Sequence, residues 1–276
     1  MPRFTDRCAD WMFAAKRRLL GRERVRRTRL YCVGTAKSGT HSVTGMFSET
    51  VRGRHESGVV ELLENIFAWQ QGRITEEQFA QCLHARDRKL ALEVDATWVH
   101  IATIDILLRD FSNARVLLTI RDCYSWCNSM MNHSLRFEEK INSVWREWLD
   151  SRFRPDLFQH ATEERMLKDK GLYTLDGYLS YWAKHNEEVL AKVPSPRLLT
   201  VRTDQLRERA LDIADFAGLP RRAIRLERTH EFRNPTKHDI IRQIDRNFLE
   251  AKVEKYCKPL MTRFFPEIRS LDDARL

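Results

Sequence analysis

Residues 30–42, LYCVGTAKSGTHS, run from an apolar stretch straight into glycine, and that transition constrains the chain more than any other. Tyr31, Cys32 and Val33 are β-prone, show no helical period and end at Gly34, the pattern of a buried strand giving way to a loop. Gly34 and Gly39 let the backbone turn sharply and bring its N–H groups close to an anion. Thr35, Ala36, Lys37, Ser38, Thr40, His41 and Ser42 complete the loop and open a helix expected over residues 40–50. Lys37 contributes a point charge, Ser38, Thr40 and Ser42 contribute hydroxyl donors, and the helix N-terminus would face the same anion. Taken alone, the loop also reads as an ordinary glycine-rich turn between strand and helix.

Residues 116–120 form a second apolar, β-branched run of the kind buried in a parallel sheet. Arg121 and Asp122 fall at its C-terminal end, where open α/β sheets bind ligands. Ser129 lies eight positions after Arg121, about two turns into the helix expected next. An Arg-Asp pair at a strand end also serves as a structural salt bridge.

The loop order differs from that of nucleotide triphosphatases, in which lysine follows the last glycine and a Ser or Thr then holds magnesium. Lys37 instead stands two places before Gly39. GTAKSGTHS resembles the 5′-phosphosulfate loop of sulfotransferases that use 3′-phosphoadenylyl sulfate (PAPS). Arg121 with Ser129 resembles the 3′-phosphate site of that family, where an arginine ending a strand and a serine eight residues later share the phosphate. Further on, RLLTV at 197–201 leads to an acidic turn, a helix over 206–217 and Gly218-Leu219-Pro220, an order also similar to the family. The likeness covers roughly residues 30–220.

That resemblance implies PAPS as co-substrate, 3′,5′-ADP (PAP) as product, an acceptor hydroxyl on a carbohydrate, lipid or small molecule, and no metal. Lys37 would stabilise charge on the bridging oxygen, and the loop N–H groups with Thr40 would hold the 5′-phosphate. In the family, the loop after the first helix often delivers a carboxylate or histidine as general base. Here RGRHESG at 52–58 offers His55 and Glu56, with Glu56 leading and a merely solvated glutamate as the plain alternative. LALEV at 90–94 reads as a further buried strand with Asp95 at its end, where several sulfotransferases place a catalytic histidine or a substrate-gripping lysine. Asp95 is therefore the second candidate base or a substrate-orienting carboxylate, and a helix N-cap fits it equally well. The chain departs from the family in having Cys123 where many relatives have proline, and in lacking the glycine-rich basic C-terminal loop that grips the 3′-phosphate. Arg233, with Asn234 and Lys237 in HEFRNPTKH at 230–238, is the candidate to replace that loop.

The alternation of strand and helix predicts an α/β fold: a single domain over 30–276, with a central parallel sheet, helices on both faces and a P-loop-like strand–loop–helix. Helices are expected within 60–83, stopped by Gly72 and reopened by a Thr75 cap, with Trp69 in the core, and again over 97–109, 175–193 and 239–264. Between 130 and 175, Trp145, Trp148, Phe153 and Phe158 sit among charges, which reads as helices and loops over the active site where acceptor choice would lie.

Forty-eight basic against 39 acidic residues give a net charge of +9, which suits a polyanionic cofactor, a nucleic acid or an anionic membrane surface. The excess concentrates in residues 1–29, a basic helical segment in which Trp11, Met12, Phe13, Leu19 and Leu20 interrupt the cations. It is read either as a peripheral membrane contact or as a solvated helix packed on the domain. No nucleic-acid partner is expected, and the oligomeric state is left open. Six cysteines show no paired spacing, and Cys123 with Cys127 lacks the second Cys/His pair of a zinc site, so a reducing compartment is expected. Without a run near the roughly 20 apolar residues of a membrane span, or a leader's apolar core, a cytoplasmic location follows as the expectation. Two rivals remain: a P-loop kinase or nucleotide hydrolase, which the loop order disfavours, and a catalytically silent sulfotransferase-like binding module.

Overall fold

The alternation resolves, in a computed structural model that describes residues 12, 15–21, 25–137, 142–228 and 238–276, into short strands separated by helices. In chain order the elements are β1 (Arg29–Cys32), α1 (Thr40–Gly45), β2 (Gly53–His55), α2 (Val59–Gln70), α3 (Glu76–Leu90), β3 (Val94–Ala96), α4 (Ile104–Asp110), β4 (Ala114–Ile120), α5 (Cys123–Phe137), α6 (Ser143–Phe153), α7 (Arg165–Asp169), α8 (Leu175–Lys192), β5 (Leu198–Arg202), α9 (Ala210–Ala217), α10 (Arg246–Tyr256) and α11 (Lys258–Phe264). Within the described residues the chain forms two compact units. One takes in the chain up to Gly34 with Gly39–Thr119 and Lys192–Phe232, the other Thr35–Ser38, Ile120–Ala191 and Arg233–Leu276.

The first unit carries the sheet, five strands in the order β2-β3-β1-β4-β5. β1 pairs in parallel with β3 and β4, and β2 in parallel with β3, the α/β arrangement expected. The register sets Cys32 beside Ala96 and Leu117, and His55 beside Ala96. One carboxyl edge therefore collects the residues that follow these strands: Val33 and Gly34, Glu56, and Thr97 with Trp98. Leu30, Cys32, Val94, Ala96 and Leu117 pack with Val43 of α1, with Met46 just after it and with Ile213, Ala214 and Ala217 of α9 in one apolar core.

Several elements differ from expectation for identifiable reasons. Residues 52–58, expected as a polar loop, contain β2, an edge strand that pairs on one side and needs no apolar run. The strand expected at 90–94 begins later, because α3 keeps its helical face through Leu90 and stops at Ala91 in the left-handed region, φ 46°. Asp95 consequently lies inside β3 rather than after it. The helix expected at 97–109 is a 3₁₀ turn, Trp98–Ala102, followed by α4, and Trp69 is half-buried against Phe79, ring centroids 4.9 Å apart. The Thr75 cap is present as a capping box with Gln78.

Residues 1–29 lie partly outside the described residues. In the described part, Arg26 and Arg29 reach Asp87 at 2.5 and 3.1 Å, while Arg27 and Arg17 reach the fully buried Glu93 at 2.7 and 3.5 Å. These arginines thus belong to the packing of the first unit.

The second unit is built on aromatic rings. Trp126, Trp148, Trp182, Tyr178 and Phe153 are fully buried, and the Phe153 ring sits 4.8 Å from those of Tyr173 and Tyr178. Trp148 and Phe153, read from sequence as part of an active-site cover, are core residues. The helix expected over 239–264 is divided into a 3₁₀ turn Ile240–Gln243, α10 capped by Asp245, and α11, whose first turn holds a proline. Among the described residues, no helix is long and apolar enough to cross a membrane.

Candidate functional site

In the first unit, the carboxyl edge of the sheet brings together Thr40, His41, His55 and Glu56. Thr40 opens α1 behind Gly39, whose φ of 98° is left-handed. A Cβ on Gly39 would come within 2.7 Å of Leu206 Cδ1 and 3.2 Å of Thr203 Cγ2, so glycine is required here by backbone conformation and by close approach together. Gly39→Ala is expected to destabilise the protein by about 1–3 kcal/mol, mostly backbone strain because the Leu206 tip can turn aside. Denaturant unfolding of the variant checks this.

Thr40 Oγ1 lies 3.1 Å from His55 Nε2, and the other ring nitrogen, Nδ1, is 4.0 Å from Glu56 Oε2. The His41 ring packs against His55, centroids 5.1 Å apart. Glu56 directly follows β2, donates its N–H to Ala96 O at 2.9 Å, and holds φ at 52°. Its half-buried side chain loses water, which pushes the carboxyl pKa up to about 7 against a smaller opposing effect from the Trp98 indole N–H. A carboxyl that titrates near neutrality can take or give a proton under ordinary conditions.

Asp95 has a different environment. Arg86 Nη1 and Nη2 donate to its oxygens at 2.5 and 3.3 Å, and His100 Nε2 lies 3.1 Å away. Burial alone would raise its pKa, but Arg86 and His100 outweigh it and hold the carboxyl well below the usual carboxylate range. A carboxylate so stabilised is a poor proton acceptor, which separates Asp95 from the base role that its sequence position suggested.

The second unit contains the tip of the loop. Ser38 Oγ donates to Thr35 O at 2.7 Å, and Trp126 Nε1 donates to Ala36 O at 2.7 Å, so the loop is tied to itself and to α5. Lys37 takes φ 68°. Lys37 and Glu56 are two of five non-glycine residues with positive φ among the described residues. Such backbone costs about 1–3 kcal/mol per residue and survives where the surroundings over-determine it. Burial first, then the charges of Arg121 and Arg136, depress the Lys37 pKa. His133 is driven down to about 4 by burial, Lys37 and Arg136. Like charges crowded together in this way disfavour one another's charged forms.

Arg121 is oriented by Nε donating to Ser125 Oγ at 2.8 Å, and its carbonyl accepts from Trp182 Nε1 at 3.0 Å. Ser125 in turn bonds Asp122 through its hydroxyl and through its N–H at 2.8 Å. Ser129 lies half-buried on α5, as its spacing implied. Arg233, Asn234 and Lys237 fall outside the described residues. Trp98, Ser125, Trp126, His133 and Arg136 were not identified from sequence. The spacing of 125, 129, 133 and 136, one face of a helix, was the available signal. Among the described residues, no group of three or more His, Cys, Asp or Glu could hold a metal ion.

The family described as Sulfotransferase domain matches residues 29–205 of this chain. A comparison with curated proteins gives no match. Among solved structures, the chain is similar to a sulfotransferase from Alicyclobacillus acidocaldarius, at 16% identity over 86% of this chain and 95% of that one, TM-score 0.49. It is also similar to sulfotransferase STF9 from Mycobacterium avium, at 13% identity over 94% and 82%, TM-score 0.44. A sulfotransferase domain from the curacin biosynthetic pathway follows at 18% identity over 70% and 74%, TM-score 0.36. At these scores the structural likeness carries no weight by itself, and the matched span of residues 29–205 stands as the finding.

Proposed function

The chain belongs to the sulfotransferase domain family, and on that premise we propose that it moves a sulfonyl group from PAPS to an acceptor hydroxyl of a carbohydrate, lipid or small molecule. The observation that carries the reading is Glu56, a half-buried carboxyl held in left-handed backbone with its pKa pushed up to about 7. The fit to the nucleotide is supported by the charges of Arg121 and Arg136, which with burial work against the Lys37 ammonium, and by the buried Thr35 Oγ1, which has no hydrogen-bond partner among the described residues. Each of these is relieved by an anion.

When bound, PAPS supplies an activated sulfonyl group, so transfer forms an S–O bond to the acceptor and breaks the one to the 5′-phosphate. Glu56 takes the acceptor proton. Lys37 meets the charge left on the departing phosphate oxygen, and Thr40 with the N–H groups after Gly39 holds that phosphate. Arg121, oriented by Ser125, and Ser129 hold the 3′-phosphate. His55, between Thr40 and Glu56, keeps the two groups in fixed relation through the hydrogen bond to Thr40. A transfer screen with labelled PAPS and mixed hydroxyl acceptors tests the reading directly, and a protein that labels none of them would count against it.

A second test needs no acceptor. The protein is expected to bind 3′,5′-ADP in preference to ADP, because Arg121 and Ser129 have a dedicated 3′-phosphate to satisfy. Arg121→Ala should remove about 1.5–3 kcal/mol of that preference, the scale of a charge-assisted hydrogen bond. Calorimetric titration with both nucleotides reads the difference, and equal affinity in the unmutated protein would sink the assignment.

A further inference from the structure

The turn that carries Glu56 is held by a residue with no part in proton transfer. Residues 56–58 pass through left-handed backbone twice, at Glu56 with φ 52° and at Gly58 with φ 62°. Glycine accepts that conformation freely and glutamate does not, so something must keep Glu56 there. Two hydrogen bonds bracket the turn. Glu56 N–H donates to Ala96 O at 2.9 Å, and Arg86 Nη2 donates to Ser57 O at 2.7 Å.

Arg86 can fix a carbonyl because it is itself fixed. Its guanidinium grips Asp95 through both terminal nitrogens, at 2.5 and 3.3 Å, and its side chain is only 13% exposed. Asp95 lies in β3, paired in register with Tyr31 of β1 and Arg54 of β2, and receives His100 Nε2 at 3.1 Å. His100 is anchored in turn by Thr103 Oγ1, 3.1 Å from Nδ1. The restraint therefore runs from an inner strand of the sheet, through a forked cation on α3, to the backbone one residue beyond Glu56.

We propose that Arg86, held by Asp95, is the positioning residue that keeps Glu56 in its left-handed, half-buried conformation against Trp98. This rests on the reading of Glu56 as the base and adds what tunes it. An arginine is needed because a planar fork can hold a carboxylate and a carbonyl at once, whereas a lysine presents a single point charge. It also gives Asp95 a role without proton transfer.

Of the titratable groups around the turn, His55 on β2 lies 4.0 Å from Glu56 Oε2, with His41 on α1 packed against it. Arg86 on α3 meets the turn at Ser57 O, and Asp95 and His100 stand beyond it along the same chain of contacts. The histidines are common to every protein compared below.

The test is a carboxyl ¹³C NMR titration of Glu56, its resonance assigned by its loss in Glu56→Gln, in the unmutated protein, Arg86→Lys, Arg86→Met and the double variant Arg86→Met with Asp95→Leu. In the unmutated protein Glu56 should titrate at about 7. With Arg86 lost the carboxyl swings into water, and its titration should fall toward the ordinary glutamate value of about 4.3. Arg86→Lys should fall between. The double variant removes both charges together and stays informative if Arg86→Met alone, with Asp95 left buried without its arginine, fails to fold. Where transfer is measurable, the acid limb of the kcat profile should move down with the same midpoint while 3′,5′-ADP affinity is unchanged. A folded variant without Arg86 in which Glu56 still titrates at about 7 overturns the proposal. An unmutated protein with no transferase activity overturns the functional reading instead, and the NMR titration still decides the role of Arg86.

Discussion

Glu56→Gln is expected to lower sulfonyl transfer by about 10²–10⁴-fold, the scale on which a positioned general base contributes, while 3′,5′-ADP affinity stays nearly unchanged. Glutamine keeps the length of the side chain and an oxygen to accept from the Trp98 indole, but it cannot take a proton. With the Glu56 pKa pushed up to about 7, the base is active only once deprotonated, so transfer by the unmutated protein should rise through about pH 7. The same shift has a stability consequence of opposite sense. The folded protein holds this proton more tightly than the unfolded chain, so the contribution is complete below the ordinary glutamate value of about 4.3 and is lost as pH rises through about 7. Glu56→Gln lacks that loss and should hold its thermal stability better on going from pH 5 to 8. Rates across that range, melting curves and calorimetry with 3′,5′-ADP check the three parts. Unchanged turnover in Glu56→Gln would mean that the base is elsewhere. Nucleotide binding by an unmutated protein that sulfates nothing in a broad screen would favour the binding-module rival.

The elements that could be read from the amino-acid pattern are those whose pattern has one solution. Val116–Leu117–Leu118–Thr119–Ile120 is apolar but for one β-branched threonine and becomes the buried end of β4, and Gly218 ends α9 in left-handed backbone, as a glycine before Leu-Pro should. Residues 90–94 are apolar except for Glu93, but Leu90 completes the helical face of α3, and a run this short does not say which period it serves. β2 was hidden for the opposite reason. Gly53, Arg54 and His55 have no strand signature, and they pair because β3 lies beside them in register, a cause that is nowhere local. Division into two units was equally invisible, since the aromatic core of the second unit draws Trp126, Phe153 and Trp182 from three separate helices.

Legibility of the candidate site follows the same division. Gly39, Lys37 and Thr40 belong to one loop, and Arg121 with Ser129 to one strand–helix junction, so local order and a family resemblance were enough to single them out. Glu56 was named from a resemblance of position. What makes it chemically suited, desolvation, the Trp98 indole and the Ala96 carbonyl, comes from strands and turns more than thirty residues away in the chain. Arg86 is further still from any local signal, since on α3 it reads as one more solvent-facing cation among Arg88 and Lys89. Asp95 shows the converse. Its position at a strand suggested chemistry, and its partners Arg86 and His100, which make it a poor proton acceptor, are legible only in three dimensions.

Lys37→Ala should reduce turnover by about 10²–10³-fold, as removal of one preorganised electrostatic group in an acyl-transfer site does, and should weaken 3′,5′-ADP binding by much less. The fold should persist in this variant. The loop is tied by Ser38 to Thr35 and by Trp126 to Ala36, contacts that use no part of the Lys37 side chain, and alanine at φ 68° is strained no more than lysine was. Burial and the charges of Arg121 and Arg136 work against the Lys37 ammonium in the protein alone, and a bound anion works in its favour. Nucleotide binding should therefore raise the Lys37 pKa, readable as a dependence of the binding enthalpy on buffer ionisation heat that Lys37→Ala abolishes. Turnover falls further than affinity because the charge that Lys37 meets is greatest as the phosphate departs. A loss confined to affinity, with kcat intact, would make Lys37 a uniform binding contact and leave the departing charge to other donors. Chelators separate the remaining rival: turnover by the unmutated protein should survive them, and its abolition would point to a magnesium-dependent phosphotransferase in which Lys37 has another partner.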